Sequence, residues 1–366
     1  MRFIIHIGPR KTGTTYLQAA CFHSQQALAA SGIYYHTGIA SLGETKIQRS
    51  MIGEVLVANR VVDLAEDFLA ARARGMHTAI ISDETLSHLS AAQVAPLQAM
   101  VAELADGDPV QVVSYCRRWS ARLPSLWAEL VKHGQSRSFA EWLAHLLTMT
   151  ETSPIIDESI NWAIWSDWFG ADALRLVSYD VMMDQRADIA VDFLDQFAGW
   201  RGEISPRAAR AANQRLSAAE LEFLRMMNAM AVAQKQTIPE RARLRLLREM
   251  GLAGDTRFAG LGAPGGAVTP LVDAAPVFDS ARGRMAAFAA RALVPRGGDT
   301  RLMIDGASRQ DSPDPVLFGD PVLGAVLREG YARLVEITET NPPPLVMPRP
   351  AGGKGGPGKG AALAKG

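Results

Sequence analysis

The ten residues Ile7-Gly8-Pro9-Arg10-Lys11-Thr12-Gly13-Thr14-Thr15-Tyr16 carry the chain's clearest chemistry. An apolar run, Arg2–Ile7, leads into a loop bounded by Gly8 and Gly13, and a helical pattern starts directly after it. Glycines let a backbone curl and come close to a ligand. The N–H groups of such a loop, with the N-terminus of the helix behind it, bind anions and phosphates above all. Gly8, Arg10, Lys11, Thr12, Gly13, Thr14 and Thr15 are therefore the candidate anion-holding set.

The phosphate loop of nucleotide triphosphatases, G-x-x-x-x-G-K-[ST], has a lysine that reaches the β- and γ-phosphates. Gly8 and Gly13 keep that glycine spacing, and Thr15 stands at the Ser/Thr position, but Thr14 replaces the lysine. The loop's one lysine, Lys11, lies three positions earlier. This argues against hydrolysis of ATP or GTP. It suits one phosphate held on backbone, with Lys11 addressing a group attached to it.

Strands must carry this loop. Arg2–Ile7, Thr78–Ser82, Val110–Tyr115 and Leu174–Tyr179 are short apolar runs of buried-strand type. Helical patterns lie over Thr14–Leu28, Val55–Arg74, Ala91–Leu104, Arg122–Lys132 and Ile160–Phe169. Alternating strands and helices imply an α/β fold, a parallel sheet flanked by helices with both faces buried. The carboxyl ends of its strands then share one crevice with the loop. After Tyr179 the chain is mostly helical, over Ala187–Phe197, Ser217–Ala233, Pro239–Met250 and Pro321–Thr338. The expected organisation is an α/β core over 1–233, a helical extension with Gly/Pro-rich loops over 234–340, and a disordered tail over 341–366. That tail is mostly Gly, Ala and Lys and cannot bury a core.

The loop resembles that of the sulfotransferase family, which reads P-K-[ST]-G-T-T-x-L where this chain has Arg10-Lys11-Thr12-Gly13-Thr14-Thr15-Tyr16-Leu17. The form Gly-Pro-x-Lys-Thr-Gly-Thr-Thr is similar to the bacterial and carbohydrate-acting branches. A second family signature is an Arg at the end of a later strand with a Ser eight residues on. Arg117 and Ser125 match it, whereas Arg118 is seven residues from Ser125. Leu176-Val177-Ser178-Tyr179-Asp180 resembles a strand end found in many members. Asn213–Glu220 resembles a bacterial segment, and also reads as a helix start with Ser217 as cap and Glu220 three residues later.

The resemblance implies a P-loop-like fold and the donor 3′-phosphoadenosine 5′-phosphosulfate, with no metal. It implies that the loop amides hold the 5′-phosphate and that Lys11 contacts the bridging oxygen. Arg117 and Ser125 would hold the 3′-phosphate. An alcohol acceptor needs a general base. Glu84, in Ser82-Asp83-Glu84 at the end of the second strand, is the leading candidate. Asp83 is its rival and also a natural helix cap. His36 and Glu44 are reserves. The expected partner is a glycan or small-molecule acceptor. The alternatives are a P-loop nucleotide or metabolite kinase, which the missing lysine opposes, and a non-catalytic phosphoadenosine-binding module, which Lys11 opposes.

Composition bounds the rest. The 366 residues carry 38 Lys+Arg and 38 Asp+Glu, so no broad grip on nucleic acid or an anionic membrane is expected. No apolar run reaches the ~18 residues of a membrane span, so no integral membrane segment is expected. Cys21 and Cys116, the two cysteines, lie in apolar segments and suit buried thiols in a reducing cytoplasm. Trp162, Trp165 and Trp168 form a helical stripe that reads as core, and Tyr16 reads as packing before adenine stacking.

Overall fold

A computed structural model describes residues 1–37, 61–148, 153–205, 216, 218–250, 268–271, 276–295, 308–311 and 321–340. Five strands build the main sheet: β1 (Arg2–His6), β2 (Ile33–Tyr35), β3 (Thr78–Ser82), β4 (Val110–Cys116) and β5 (Leu174–Ser178). Their spatial order is β2-β3-β1-β4-β5, and every neighbouring pair is parallel. β1 therefore lies inside the sheet, with Ile5 opposite Ile81 on β3 and Val112 on β4.

Side-chain alternation on these strands makes two cores. Phe3, Ile5, Ile81, Val112 and Leu176 face one layer of helices. Ile4, Ile80, Val113 and Val177 face the other, with Leu17 and Phe193. The first core runs without a break to Leu334 and Ile337, so the helices beyond residue 233 share the apolar interior of the sheet.

The helices are α1 (Thr14–His23), α2 (Gln25–Ala30), α3 (Val61–Ala73), α4 (Ala91–Ala105), α5 (Trp119–Lys132), α6 (Phe139–Leu147), α7 (Ser159–Phe169), α8 (Tyr179–Asp184), α9 (Ile189–Phe193), α10 (Ala218–Ala233), α11 (Glu240–Met250), α12 (Pro276–Ala292) and α13 (Pro321–Thr340). Several differ from the pattern expected. Thr14–Leu28 is two helices, broken at Ser24, whose hydroxyl accepts the Ser205 N–H. Ala187–Phe197 is α9 followed by one π turn, Leu194–Ala198. The short edge strand β2 and the helices α6 and α12 were not expected. α6 nonetheless carries a legible start: Ser138 accepts the Glu141 N–H, and Glu141 accepts the Ser138 N–H. Val268–Leu271 and Ser308–Asp311 pair as an antiparallel ribbon inside the stretch read as loop.

Trp162 and Trp165 are fully buried, as a core stripe requires, but Trp168 is exposed, at the far end of the same helix. Glu44, Ser217, the start of the helix expected from Val55 and the tail over 341–366 lie outside the described residues. Among the described residues no helix is long and apolar enough to cross a membrane.

Candidate functional site

β1 delivers the loop to the carboxyl edge of the sheet, and pairing continues right up to it. Ile7 N–H bonds to Val113 O at 2.9 Å, and Asp83 N–H to His6 O at 3.3 Å. The loop then adopts positive φ twice, at Lys11 (72°) and Gly13 (82°). Left-handed backbone disfavours a lysine by roughly 1–2 kcal/mol. Such strain persists only where its surroundings hold it. Arg117 supplies one support, donating from Nη1 to Lys11 O at 2.8 Å. Thr12 supplies another, with its hydroxyl on Pro9 O at 2.7 Å.

Gly13 caps α1 without a side chain. A Cβ there would meet Ile189 Cδ1 at 3.0 Å and Tyr179 Cε2 at 3.3 Å. At Gly8 a Cβ would run into the His6 ring. The first helical bond is Leu17 N–H to Gly13 O, so the N–H groups of Thr14, Thr15 and Tyr16 precede the hydrogen-bond ladder. That leaves an open, positively polarised helix start beside a cationic loop.

The two arginines after β4 part company. Arg117 turns to the loop and stacks over the Tyr179 ring, 5.3 Å from its centroid. Arg118 turns away to Asp180, through its N–H at 2.7 Å and its Nε at 3.2 Å. Ser125 is half-buried on α5. Arg122, Ser125 and Glu129 stand at i, i+3 and i+7, which puts them on one stripe of that helix. Glu129 reaches Lys11 as an ion pair. Glu129 is not among the residues expected at the site; its position four residues beyond Ser125 is the sequence signal that points to it.

Glu84 lies among charges of both signs. Burial pushes its carboxyl above the usual range, against the pull of Arg10 at 3.9 Å and of Lys11 and with the push of Glu129. Burial also pushes Glu129 up, but Lys11 outweighs it, with help from His133 and Lys132, and holds that carboxyl low. Asp83, the neighbour of Glu84, sits in a helix-cap position. It is fully buried, and its Oδ1 accepts the Thr85 N–H at 2.9 Å, capping the short turn Glu84–His88.

The remaining candidates lie off this cluster. His36 follows the edge strand β2, fully buried, with Nε2 3.5 Å from Asp67 Oδ2. Tyr16 donates to Asp188 Oδ2 at 2.6 Å, and burial with Asp188 pushes its hydroxyl up to about 12. His6 is fully buried beneath the loop, its Nδ1 2.8 Å from Ser82 Oγ, and burial lowers its pKa to about 3. Arg10, Lys11, Glu84 and Glu129 thus form one cluster at the mouth of the loop, with Arg117 behind it. Cations and open N–H groups suit an anion, and the adjoining carboxylates can accept a proton. Compared with models of known protein families, with curated proteins and with solved structures, the chain gave no match, so these residues carry the chemical reading by themselves.

Proposed function

We propose that the protein is a sulfotransferase, moving a sulfuryl group from 3′-phosphoadenosine 5′-phosphosulfate to a hydroxyl of a glycan or small-molecule acceptor. One observation carries this reading. The loop has a triphosphatase's glycine spacing, but its only lysine sits at Lys11, beside the open start of α1 and in contact with a carboxylate. Such a loop holds one phosphate and places its cation on what that phosphate carries. The glycine contacts support the fit, because Cβ-free positions at Gly8 and Gly13 keep the loop curled where side chains would block it.

In the reaction the acceptor oxygen attacks sulfur while the bond from sulfur to the 5′-phosphate oxygen breaks. The electron pair of that bond leaves with the phosphate oxygen, where Lys11 and the loop amides stabilise it. Arg117 and Ser125 bind the 3′-phosphate. Glu84 takes the hydroxyl proton. Its raised pKa favours that role, since a base works best when its pKa approaches the working pH. Asp83, tied into its cap, serves as support for the turn that carries Glu84. Two buried free thiols, Cys21 and Cys116, support a reducing compartment such as the cytoplasm.

Transfer from a radiolabelled sulfate donor to a panel of hydroxyl acceptors tests the reaction. Adenosine 3′,5′-bisphosphate should stabilise the fold by about 2.7 kcal/mol at a hundred times its Kd, and by more than AMP does at equal concentration. Glu84→Gln should bind it like the parent and transfer about 10²–10⁴ times more slowly. Equal stabilisation by the two nucleotides, or phosphorylation of an acceptor from ATP, overturns the reading.

A further inference from the structure

Lys11 stands on a fixed base and carries a movable arm. Its carbonyl accepts from Arg117 Nη1 at 2.8 Å, and the Thr12 hydroxyl ties the same turn to Pro9 O at 2.7 Å. Backbone held in this way at a φ of 72° has little freedom. The side chain can still turn, because a flexible four-carbon stem carries the ammonium and the residue is partly exposed.

Glu129 stands across the mouth of the loop on an equally fixed base. Its helix, α5, is anchored by the buried Leu126, Trp127 and Val131. The fold thus sets the two backbones at a separation that the side chains bridge as an ion pair. Burial raises the Glu129 carboxyl, but Lys11 outweighs it and holds it low, so at neutral pH the contact joins two full charges.

This pair occupies the ammonium that an incoming anion needs. Behind Gly13, the N–H groups of Thr14, Thr15 and Tyr16 open the start of α1. An anion seated there and the Glu129 carboxylate cannot share one ammonium without lying against each other, and like charges that close repel strongly. The ammonium must leave one to serve the other. Glu129 is not stranded by the exchange, since it stays partly exposed to water, with Lys132 and His133 close on its own helix. From the opposite side, Arg10 faces Glu84 at 3.9 Å. Ser125, proposed for the 3′-phosphate, lies one turn back on α5, so a single helix carries both a ligand group and the group to be displaced.

We propose that Glu129 is a positioning residue and a built-in competitor: it holds Lys11 while the loop is empty, yields it to an anion entering at the start of α1, and reclaims it when that anion leaves. The proposal rests on the proposed sulfuryl transfer for the identity of that anion. The exchange makes and breaks ionic contacts, with no covalent bond or proton changing hands. It weakens the hold on donor and product alike, which favours release of the spent nucleotide, a step that limits many enzymes.

Titration calorimetry on the full chain tests this with two probes, adenosine 3′,5′-bisphosphate and inorganic pyrophosphate. Glu129→Gln should bind the bisphosphate about two- to fivefold more tightly than the parent, the worth of one partly exposed ion pair. In a Lys11→Met background the same substitution should bring a gain of under about 1.5-fold. A gain of equal size with and without Lys11 reports charge repulsion alone and overturns the proposal. Crystals of the unmodified chain grown with the bisphosphate need no variant: Lys11 Nζ should lie on the nucleotide and off Glu129. Finding it still on Glu129 overturns the proposal, even if the variants do not fold. If the bisphosphate binds parent and Glu129→Gln alike, the donor reading stands and the competitor falls. If the bisphosphate does not bind but pyrophosphate shows the gain that depends on Lys11, the donor reading falls and the competitor stands. If neither anion binds, both fall.

Discussion

Two ion pairs lie along the same stripe of α5, and they differ in almost everything but charge. Glu129 holds Lys11 at the loop with both side chains about one-fifth exposed, 23% and 21%. Two helical turns earlier, Arg122 holds Glu158 with both nearly sealed, 3% and 4%. Water can replace either partner of the first pair, so Lys11 can let go of Glu129 and turn to a ligand at small cost. Neither partner of the second can be stranded without leaving a bare charge in the interior. One helix thus presents an exchangeable contact at the loop and a fixed one in the interior.

The largest effect should come from stranding the fixed pair. Arg122→Met leaves Glu158 buried and unpaired and should destabilise the fold by about 3–5 kcal/mol in denaturant titrations. Replacing both partners with apolar residues should recover much of that loss. A double variant no better than the single one would make the two pairs alike. Lys11→Ala comes next. Its stability should change by under about 1 kcal/mol, while transfer should slow by about 10²–10³, the scale of one lost transition-state donor. A parent-like rate would remove Lys11 from the chemistry.

Gly13→Ala sharpens the comparison from the loop's own side. The positive φ costs about 1–2 kcal/mol for a residue with a Cβ, and the new methyl must also displace Ile189. A loss of about 2 kcal/mol with sharply weaker bisphosphate binding is expected, read by thermal melting in the presence and absence of the nucleotide. The last effect is graded with pH and concerns His6, a buried group with no charge to neutralise. Folded, it stays neutral down to about 3, whereas unfolded it takes a proton near 6.5. Below 6.5 the unfolded chain binds more protons, so stability present at neutral pH should fall by up to about 1.4 kcal/mol per pH unit. His6→Gln should flatten that slope in denaturant titrations run from pH 7 to 4.

These contrasts also explain what could be read from residues alone. The buried strands were legible because parallel pairing makes them continuously apolar, and Thr78–Ser82 appears with the bounds expected. The loop was legible because its function is written in consecutive residues. Glu129 was not, since its link to Lys11 spans 118 positions and only the folded sheet closes that distance. The buried Arg122–Glu158 pair was hidden for the same reason, and because each residue alone reads as an ordinary helix position. Asp83 was ambiguous between base and cap until its hydrogen bond to Thr85 N–H placed it in the cap. β2 escaped notice because three residues at a sheet edge carry little periodicity.

The place of β1 in the sheet has a consequence for how the chain is made. The strand that carries the loop is synthesised before both of its neighbours, β3, over Thr78–Ser82, and β4, over Val110–Cys116. Until Val110–Cys116 has left the ribosome, Phe3–Ile7 has an apolar edge and no partner on one side. β1 therefore waits through the synthesis of about 100 residues before its second neighbour exists. A nascent chain stalled before β4 would offer that edge to chaperones or to other stalled chains.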